Sequence, residues 1–248
     1  MSGVAIITGG SRGIGAAAAR LAGARGYAVA VNYRADAVSA ANVVEDIRAA
    51  GGRADAFQAD VSDQAAIPEL FDGVTKTFGP ITALVNSAGI TGGPHTVEEI
   101  DGEVLHRVVA TNVVGTFLCA QEAVRRMTKS RGGAGGAIVN LSSAAAVLGG
   151  AGGGVHYAMT KGAIDSLTIG LGREVAADGV RVNAVRPGLI DTEMNHHPDD
   201  PDRLVRLLPQ VPMARTGSAD EVAEAILWLL SDAASYVTGS VITVSGGR

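Results

Sequence analysis

The 248-residue chain has a single cysteine, Cys119, which excludes an intramolecular disulfide and any metal site built from cysteine pairs. It has no apolar run near the roughly 18 residues that a membrane-spanning helix needs. The opening stretch MSGVAIITGG carries no basic segment and breaks at glycine, so no signal peptide is expected, and the protein reads as cytoplasmic. Basic residues are scattered and the net charge is −5, which argues against nucleic acid as a partner. Charge is sparse altogether: 18% of residues against 47% apolar leaves ample material for a core and little sign of disorder. No repeat, linker or compositional break divides the sequence, so one domain over residues 1–248 is expected. What is abundant is glycine, at 34 residues. That is about twice the usual share of roughly 7% and points to tight turns or to backbone drawn close to a ligand.

Short apolar runs alternate with longer segments of helical spacing. The runs 4–8, 28–32, 54–59, 83–86, 137–142, 180–185 and 241–244 predict strands, most of them apolar throughout, as in parallel strands covered on both faces. Helices are predicted over 14–25, 35–50, 64–78, 97–129, 157–178 and 219–231. Strict alternation implies right-handed crossovers and a single-domain α/β Rossmann fold, a doubly wound seven-stranded parallel sheet with helices on both faces. Two segments break the rhythm: glycine-rich 149–156, and 195–212, rich in proline and charge. Both follow strands at their C-terminal ends, where open α/β sheets bind ligands. The second, within a segment of about residues 189–215, suits a substrate loop or a mobile connector.

TGGSRGIG, Thr8–Gly15, lies between the first strand and the first helix. Gly9, Gly13 and Gly15 allow close backbone approach, and the free N–H groups of a helix start attract phosphate, so Gly9, Ser11, Arg12, Gly13, Ile14 and Gly15 are candidates for binding a dinucleotide. An acid at the end of the second strand would bond the adenosine ribose of NAD. The chain instead reads Asn32-Tyr33-Arg34, and Arg12 with Arg34 could face a 2′-phosphate. NADP(H) is therefore favoured over NAD(H), although both arginines would also suit a solvated surface.

YAMTK places Tyr157 and Lys161 four residues apart on one helix face. Alone, the pair reads more readily as a surface pair at the start of a helix. The order of motifs, however, resembles the short-chain dehydrogenase/reductase family over essentially the whole chain. Thr8–Gly15 matches its TGxxxGIG loop, and Asp60-Val61 its adenine-contacting pair. Asn86-Ser87-Ala88-Gly89 matches its NNAG turn with one serine replacement, Tyr157 and Lys161 its YxxxK pair, and Pro187-Gly188 through Ile190 and Thr192 its nicotinamide-amide segment. The similarity is strongest to 3-oxoacyl-[acyl-carrier-protein] reductases and glucose-dehydrogenase-like reductases.

The resemblance implies an oxidoreductase that moves hydride between nicotinamide and a carbonyl/alcohol substrate, with Asn112, Ser143, Tyr157 and Lys161 as catalytic residues. Free tyrosine ionises near 10. An ammonium about 4 Å away at an effective dielectric near 20 contributes roughly 4 kcal/mol, about three pKa units, enough to make Tyr157 a general acid/base near neutrality. Ser143 would hold the substrate oxygen, Lys161 would also bind the nicotinamide ribose, and Asn112 would support a proton-relay water. Ser142 is the neighbour from which Ser143 has to be distinguished. The rival reading is a non-catalytic NADP(H)-binding regulator or scaffold, against which the full catalytic set argues; a nucleotide-sugar epimerase needs a longer chain.

Remaining residues carry less. His196 and His197 with Asp199 and Asp200 fit a solvated loop or substrate contact better than metal, and no metal is expected. His156 lines the pocket or faces solvent, Cys119 is a small packed residue, and Trp228 fits a buried helix stripe. Arg125, Arg126 and Arg131 leave docking of an acyl carrier protein open. The apolar surface of the 113–124 helix, by family resemblance, implies a homotetramer, with a dimer as the alternative.

Overall fold

The structure, a computed structural model, describes residues 3–196 and 202–248. Seven parallel strands form one sheet in the order β3-β2-β1-β4-β5-β6-β7: β1 Gly3–Thr8, β2 Tyr27–Tyr33, β3 Arg53–Gln58, β4 Ile81–Asn86, β5 Gly136–Leu141, β6 Val180–Pro187 and β7 Val241–Val244. The predicted fold and all seven strands are present, with ends shifted by a residue or two. The apolar runs sort their side chains by the two-residue period of a strand. Ile7, Val29, Val31, Val85, Val139 and Val185 face one way, against α1 Gly13–Ala24, α2 Ala37–Ala49 and α9 Ala219–Leu230. Val4, Ile6, Ala30, Leu84, Ile138 and Val182 face the other, against α3 Ala66–Phe78 and α5 Thr116–Met127. Each face is thus a separate apolar layer, which is why the runs read as continuous.

The long helix predicted over 97–129 is broken. Residues 96–100 form a turn in which Thr96 Oγ1 donates to Glu99 Oε2 at 2.7 Å. The helix α4, Gly102–Val109, starts only where Asp101 Oδ1 accepts from the Glu103 N–H at 2.6 Å and caps it. Residues Ala110–Gly115 then form a π-helical turn before α5 resumes. The helix carrying Tyr157 and Lys161, α7, begins at Val155 rather than Tyr157 and ends at Glu174, its last predicted residues forming a 3₁₀ turn at Ala176–Asp178. Two short helices were not expected: α6 Ala145–Leu148, just before the glycine-rich segment, and α8 Arg203–Leu207, inside the segment 195–212.

Trp228 corrects a further expectation. It is 39% exposed, because the buried stripe of α9 is made by Val222, Ala223, Ile226, Leu227, Leu229 and Leu230. In the run AILWLL every residue is apolar, so composition does not reveal which one turns outward. Cys119 is buried as expected, and burial pushes its thiol up to about 12. No helix among the described residues is long and apolar enough to cross a membrane.

Candidate active site

The C-terminal ends of β1, β4, β5 and β6 bring the sequence motifs together. Gly9 and Gly13 have φ of +61° and +52°, and a Cβ on Gly9 would lie 2.8 Å from Ala88 Cα. Only glycine lets this loop lie against the 86–89 turn. The start of α1 has no side-chain cap at Arg12 and no acid in its first turn, so its leading N–H groups remain available to an anion. Ser11 and Ile14 are half-buried beside it.

Thr8 fixes the facing turn. Its Oγ1 accepts from the Ser87 and Ala88 N–H groups, each at 3.1 Å, and donates to Val85 O at 3.4 Å. Asn86 points into the core, where its Nδ2 donates to Asn140 Oδ1 at 2.9 Å; Asn140 Nδ2 in turn donates to Thr168 Oγ1 on α7 at 3.0 Å. A buried polar chain therefore ties β4, β5 and α7 together beneath the site.

Asn32 is also buried. Its Nδ2 donates to Phe57 O and Ala59 O, and its Oδ1 accepts from Gly9 N at 3.4 Å. Its amide thus secures the backbone on both sides of the groove rather than facing it. Tyr33 is half-buried and Arg34 exposed at the rim. Asp36, two residues on, is occupied by Ser39, accepting from its N–H at 2.9 Å and its hydroxyl at 2.8 Å to cap α2. Asp60 Oδ1 accepts from Ser62 N and Oγ at 2.9 and 2.7 Å, while Val61 is buried.

The π-helical turn places Asn112. Its Oδ1 accepts from Ile90 N at 2.9 Å, and its Nδ2 donates to Ile90 O at 2.9 Å and to Thr160 Oγ1 at 3.1 Å. An extra residue in one helical turn, common at functional sites, thereby clamps the end of the 86–90 segment to α7. Gly89 keeps the space beside it open: a Cβ there would sit 3.3 Å from Asn112 Oδ1 and 3.6 Å from Lys161 Nζ.

Lys161 is buried and donates to Leu141 O at 2.7 Å, with its Nζ 5.6 Å from the centre of the Tyr157 ring. Desolvation pushes its ammonium down from 10.5 to about 8, opposed by the charge of Asp165 one helical turn away. Tyr157 itself is half-buried. The two serines separate cleanly. Ser142 is buried and donates to Lys161 O at 3.2 Å, whereas half-buried Ser143 accepts from Ala145 N at 3.2 Å, and its own proton has no acceptor among the described residues.

From β6, Pro187 O accepts from Ala144 N at 2.8 Å and Gly188 N donates to Val244 O at 2.9 Å. Ile190 is buried and bridges to Gly217, and Thr192 returns the segment to the glycine loop, its Cγ2 3.5 Å from where a Gly13 Cβ would be. Arg12 Nη1 meets Glu193 Oε2 at 3.2 Å, both exposed. His196 pairs with Asp191 at 2.6 Å, while His197, Asp199 and Asp200 lie outside the described residues. His156 is buried, its Nε2 2.8 Å from Thr91 O, which closes the glycine-rich loop onto the segment after β4.

Residues 9–248 match a family model described as enoyl-(acyl carrier protein) reductase. The chain belongs to the short-chain dehydrogenase/reductase family. It is 52% identical to the uncharacterized oxidoreductase YgfF of Escherichia coli (strain K12) over 99% of both chains. It is 38% identical to the 3-oxoacyl-[acyl-carrier-protein] reductase FabG of Staphylococcus aureus (strain Mu50) over 98% of this chain and 96% of that one. Among solved structures, a short chain dehydrogenase from Burkholderia cenocepacia in complex with NADP superposes with a TM-score of 0.90 at 34% identity, covering 98% of this chain and 96% of that one.

Within this short-chain oxidoreductase, several residues that hold the site carried no functional signal in sequence. Asn140, Thr160 and Thr168 are ordinary strand and helix residues until their partners are known, and Thr8, although it opens the TGxxxGIG match, gave no sign that it fixes the facing turn. Arg125 and Arg126 turn out to be engaged: Arg125 donates to Glu122 Oε1 at 2.6 Å, and Arg126 pairs with both Glu122 and Asp72. Their positive charge is locally neutralised.

Proposed function

We propose that the protein is an NADP(H)-dependent oxidoreductase of small carbonyl/alcohol substrates, with Tyr157 as general acid/base. The observation that carries this reading is the buried Lys161 ammonium beside the Tyr157 ring, bonded to Leu141 O at the end of β5, two residues before a half-buried Ser143 hydroxyl with a proton to give. The cofactor suits the residues present: an uncapped helix start, glycines where a Cβ would strike the facing turn, and an open space at Gly89. When bound, the nicotinamide supplies or accepts the hydride. Ser143 donates to the substrate oxygen, and Tyr157 gives it a proton in reduction or removes one in oxidation. Lys161 stabilises the phenolate through its charge, and Asn112 holds the turn and helix that frame the lysine. Asn32 and Asn86 position the nucleotide groove from beneath, and Asp60, Val61, Pro187, Gly188, Ile190 and Thr192 line its adenine and amide ends as in the family.

The preference for NADP(H) is supported by Arg12 and Arg34 at the rim, by the absence of an acid at 32–34, and by the engagement of Asp36 in capping. Arg34→Ala and Arg12→Ala are each expected to weaken NADPH binding about ten- to a hundredfold, the value of one charged hydrogen bond, and to leave NADH binding nearly unchanged. Fluorescence titration of both cofactors checks this. Equal losses for the two would remove the 2′-phosphate contact.

For assembly we propose a homotetramer, with a dimer as the alternative, formed through α5 and α7. Phe117 is 51% exposed on α5 and Ile169 is exposed on α7. Gly162 and Gly170 lie in the α7 interior with nothing among the described residues within 4 Å of where a Cβ would be. A helical glycine costs about 1 kcal/mol relative to alanine, and a second helix approaching closely would repay it. Phe117→Glu is expected to lower the oligomeric state in sedimentation velocity; an unchanged state would refute this face.

A further inference from the structure

Asp165 sits on α7 one turn beyond Lys161 and two beyond Tyr157, so the three share a helix face. On β6, Arg186 continues the face of Val180 and Val182 toward α7, and it immediately precedes Pro187-Gly188. Arg186 Nη2 meets Asp165 Oδ2 at 2.7 Å, with the side chains only 18% and 13% exposed. Among the described residues Asp165 Oδ1 and Arg186 Nε are buried with no hydrogen-bond partner, so beyond their one mutual bond the pair is not part of a satisfied network. A pair of this kind contributes little stability compared with an apolar replacement, which points to another use.

The surroundings of Lys161 are otherwise uncharged. From β5 the lysine meets Leu141 O, and on the side of the 86–90 segment a Cβ on Gly89 would lie 3.6 Å from its Nζ and 3.3 Å from Oδ1 of Asn112 in the π-helical turn. The sequences of β5, α6, β7 and the π-helical turn contain no titratable group, and Glu103, His106 and Arg107 of α4 are exposed. On α7 itself, buried His156 is turned to Thr91 O, and Arg173 and Glu174 lie about three turns beyond Lys161, which leaves Tyr157, Asp165 and, behind Asp165, Arg186.

We propose that Asp165 and Arg186 are positioning residues for the Lys161–Tyr157 pair: the Asp165 carboxylate supplies the field in which the buried lysine carries its charge, and Arg186 sets how much of that field reaches it while tying α7 to the strand end at Pro187-Gly188. The catalytic meaning of this arrangement rests on the function proposed above; its electrostatics do not. Removing the carboxylate leaves a lone guanidinium near the lysine. Removing the guanidinium leaves an undiluted carboxylate. The two changes therefore act on Lys161 in opposite directions, whereas damage to packing would act in one.

The chain has three lysines, Lys76, Lys129 and Lys161, so protein labelled with ε-¹³C-lysine gives three resonances to follow by NMR in the absence of cofactor. Loss of one resonance in Lys161→Met assigns it. In Asp165→Asn the Lys161 midpoint is expected to fall, and in Arg186→Gln to rise, each by about one pH unit for a charge one helical turn away or slightly farther. The double variant, which removes both members of the pair and so leaves neither unpaired, is the safeguard if a single variant misfolds and is expected between the two. Arg186→Lys is expected to restore the wild-type midpoint. The same order is expected in the pH profile of kcat. Midpoints that stay put, or that move the same way in both single variants, overturn the proposal. Should Tyr157→Phe remain active, the proposed chemistry fails instead, and the NMR order is still decided on its own.

Discussion

Tyr157→Phe is expected to lower kcat by about 10²–10⁴-fold, the usual contribution of a positioned acid or base, while leaving NADPH affinity within about twofold. The phenyl ring retains the packing of the half-buried tyrosine and its contact with the Lys161 side chain, and only the titrating oxygen is lost. The alkoxide that develops on the substrate would then have Ser143 to bond it but no proton to receive. Steady-state rates and cofactor titrations on the same preparation separate the two effects. A variant that keeps a tenth or more of wild-type turnover would remove Tyr157 from the proton-transfer role.

Lys161→Met is expected to abolish turnover and, at neutral pH, to make the protein more stable. Burial pushes the Lys161 ammonium down to about 8 from 10.5. The folded state therefore binds fewer protons than the unfolded state between those values, and wild-type stability rises with pH across that window. Below pH 8 both states hold the proton, and the native state bears the full cost of a buried charge, about 3 kcal/mol at roughly 1.4 kcal/mol per pKa unit. Part of this is offset by the bond to Leu141 O, so a net gain of about 1–2 kcal/mol is expected for the methionine variant. The advantage over wild type should be full at pH 7, shrink through pH 9 and vanish above pH 10.5. Urea unfolding of both proteins at matched concentration across that range measures it. A destabilised variant at pH 7, or a difference that does not change with pH, contradicts the burial cost assigned to this lysine. The expected outcome would make Lys161 a group retained for function at the expense of stability.

Much of this site could be read from residue order. The seven apolar runs predicted the strands because each lies between two covering layers, and the glycines of residues 9–15 announced a turn that no other residue could take. The separation of Ser143 from Ser142 was legible for a similar reason, since neighbouring residues at a strand end point to opposite sides. The π-helical turn was not. One extra residue in a six-residue turn does not disturb a 3.6-residue pattern enough to be seen, so 97–129 read as one helix, and the clamp that Asn112 makes on Ile90 was invisible. Asp165 and Arg186 were missed because a lone carboxylate on a helix and a lone arginine in a strand each read as solvated; only the sheet order brings β6 alongside α7. Trp228 failed for want of contrast, being one apolar residue among five others. The polar chain of Asn86, Asn140 and Thr168 was hidden for the opposite reason, as polar residues near strand ends or within a helix ordinarily face solvent.

The most direct test of the chemistry is a single-turnover experiment: wild-type protein loaded with one equivalent of NADPH, mixed with a panel of ketones, ketoesters, sugars and acyl thioesters, and followed by nicotinamide absorbance. The expected result is stoichiometric oxidation of the cofactor by at least one carbonyl compound, lost in Tyr157→Phe. Tight binding of NADPH with no oxidation across the panel would contradict it, and would make the protein a nucleotide-binding regulator or scaffold built on an oxidoreductase fold.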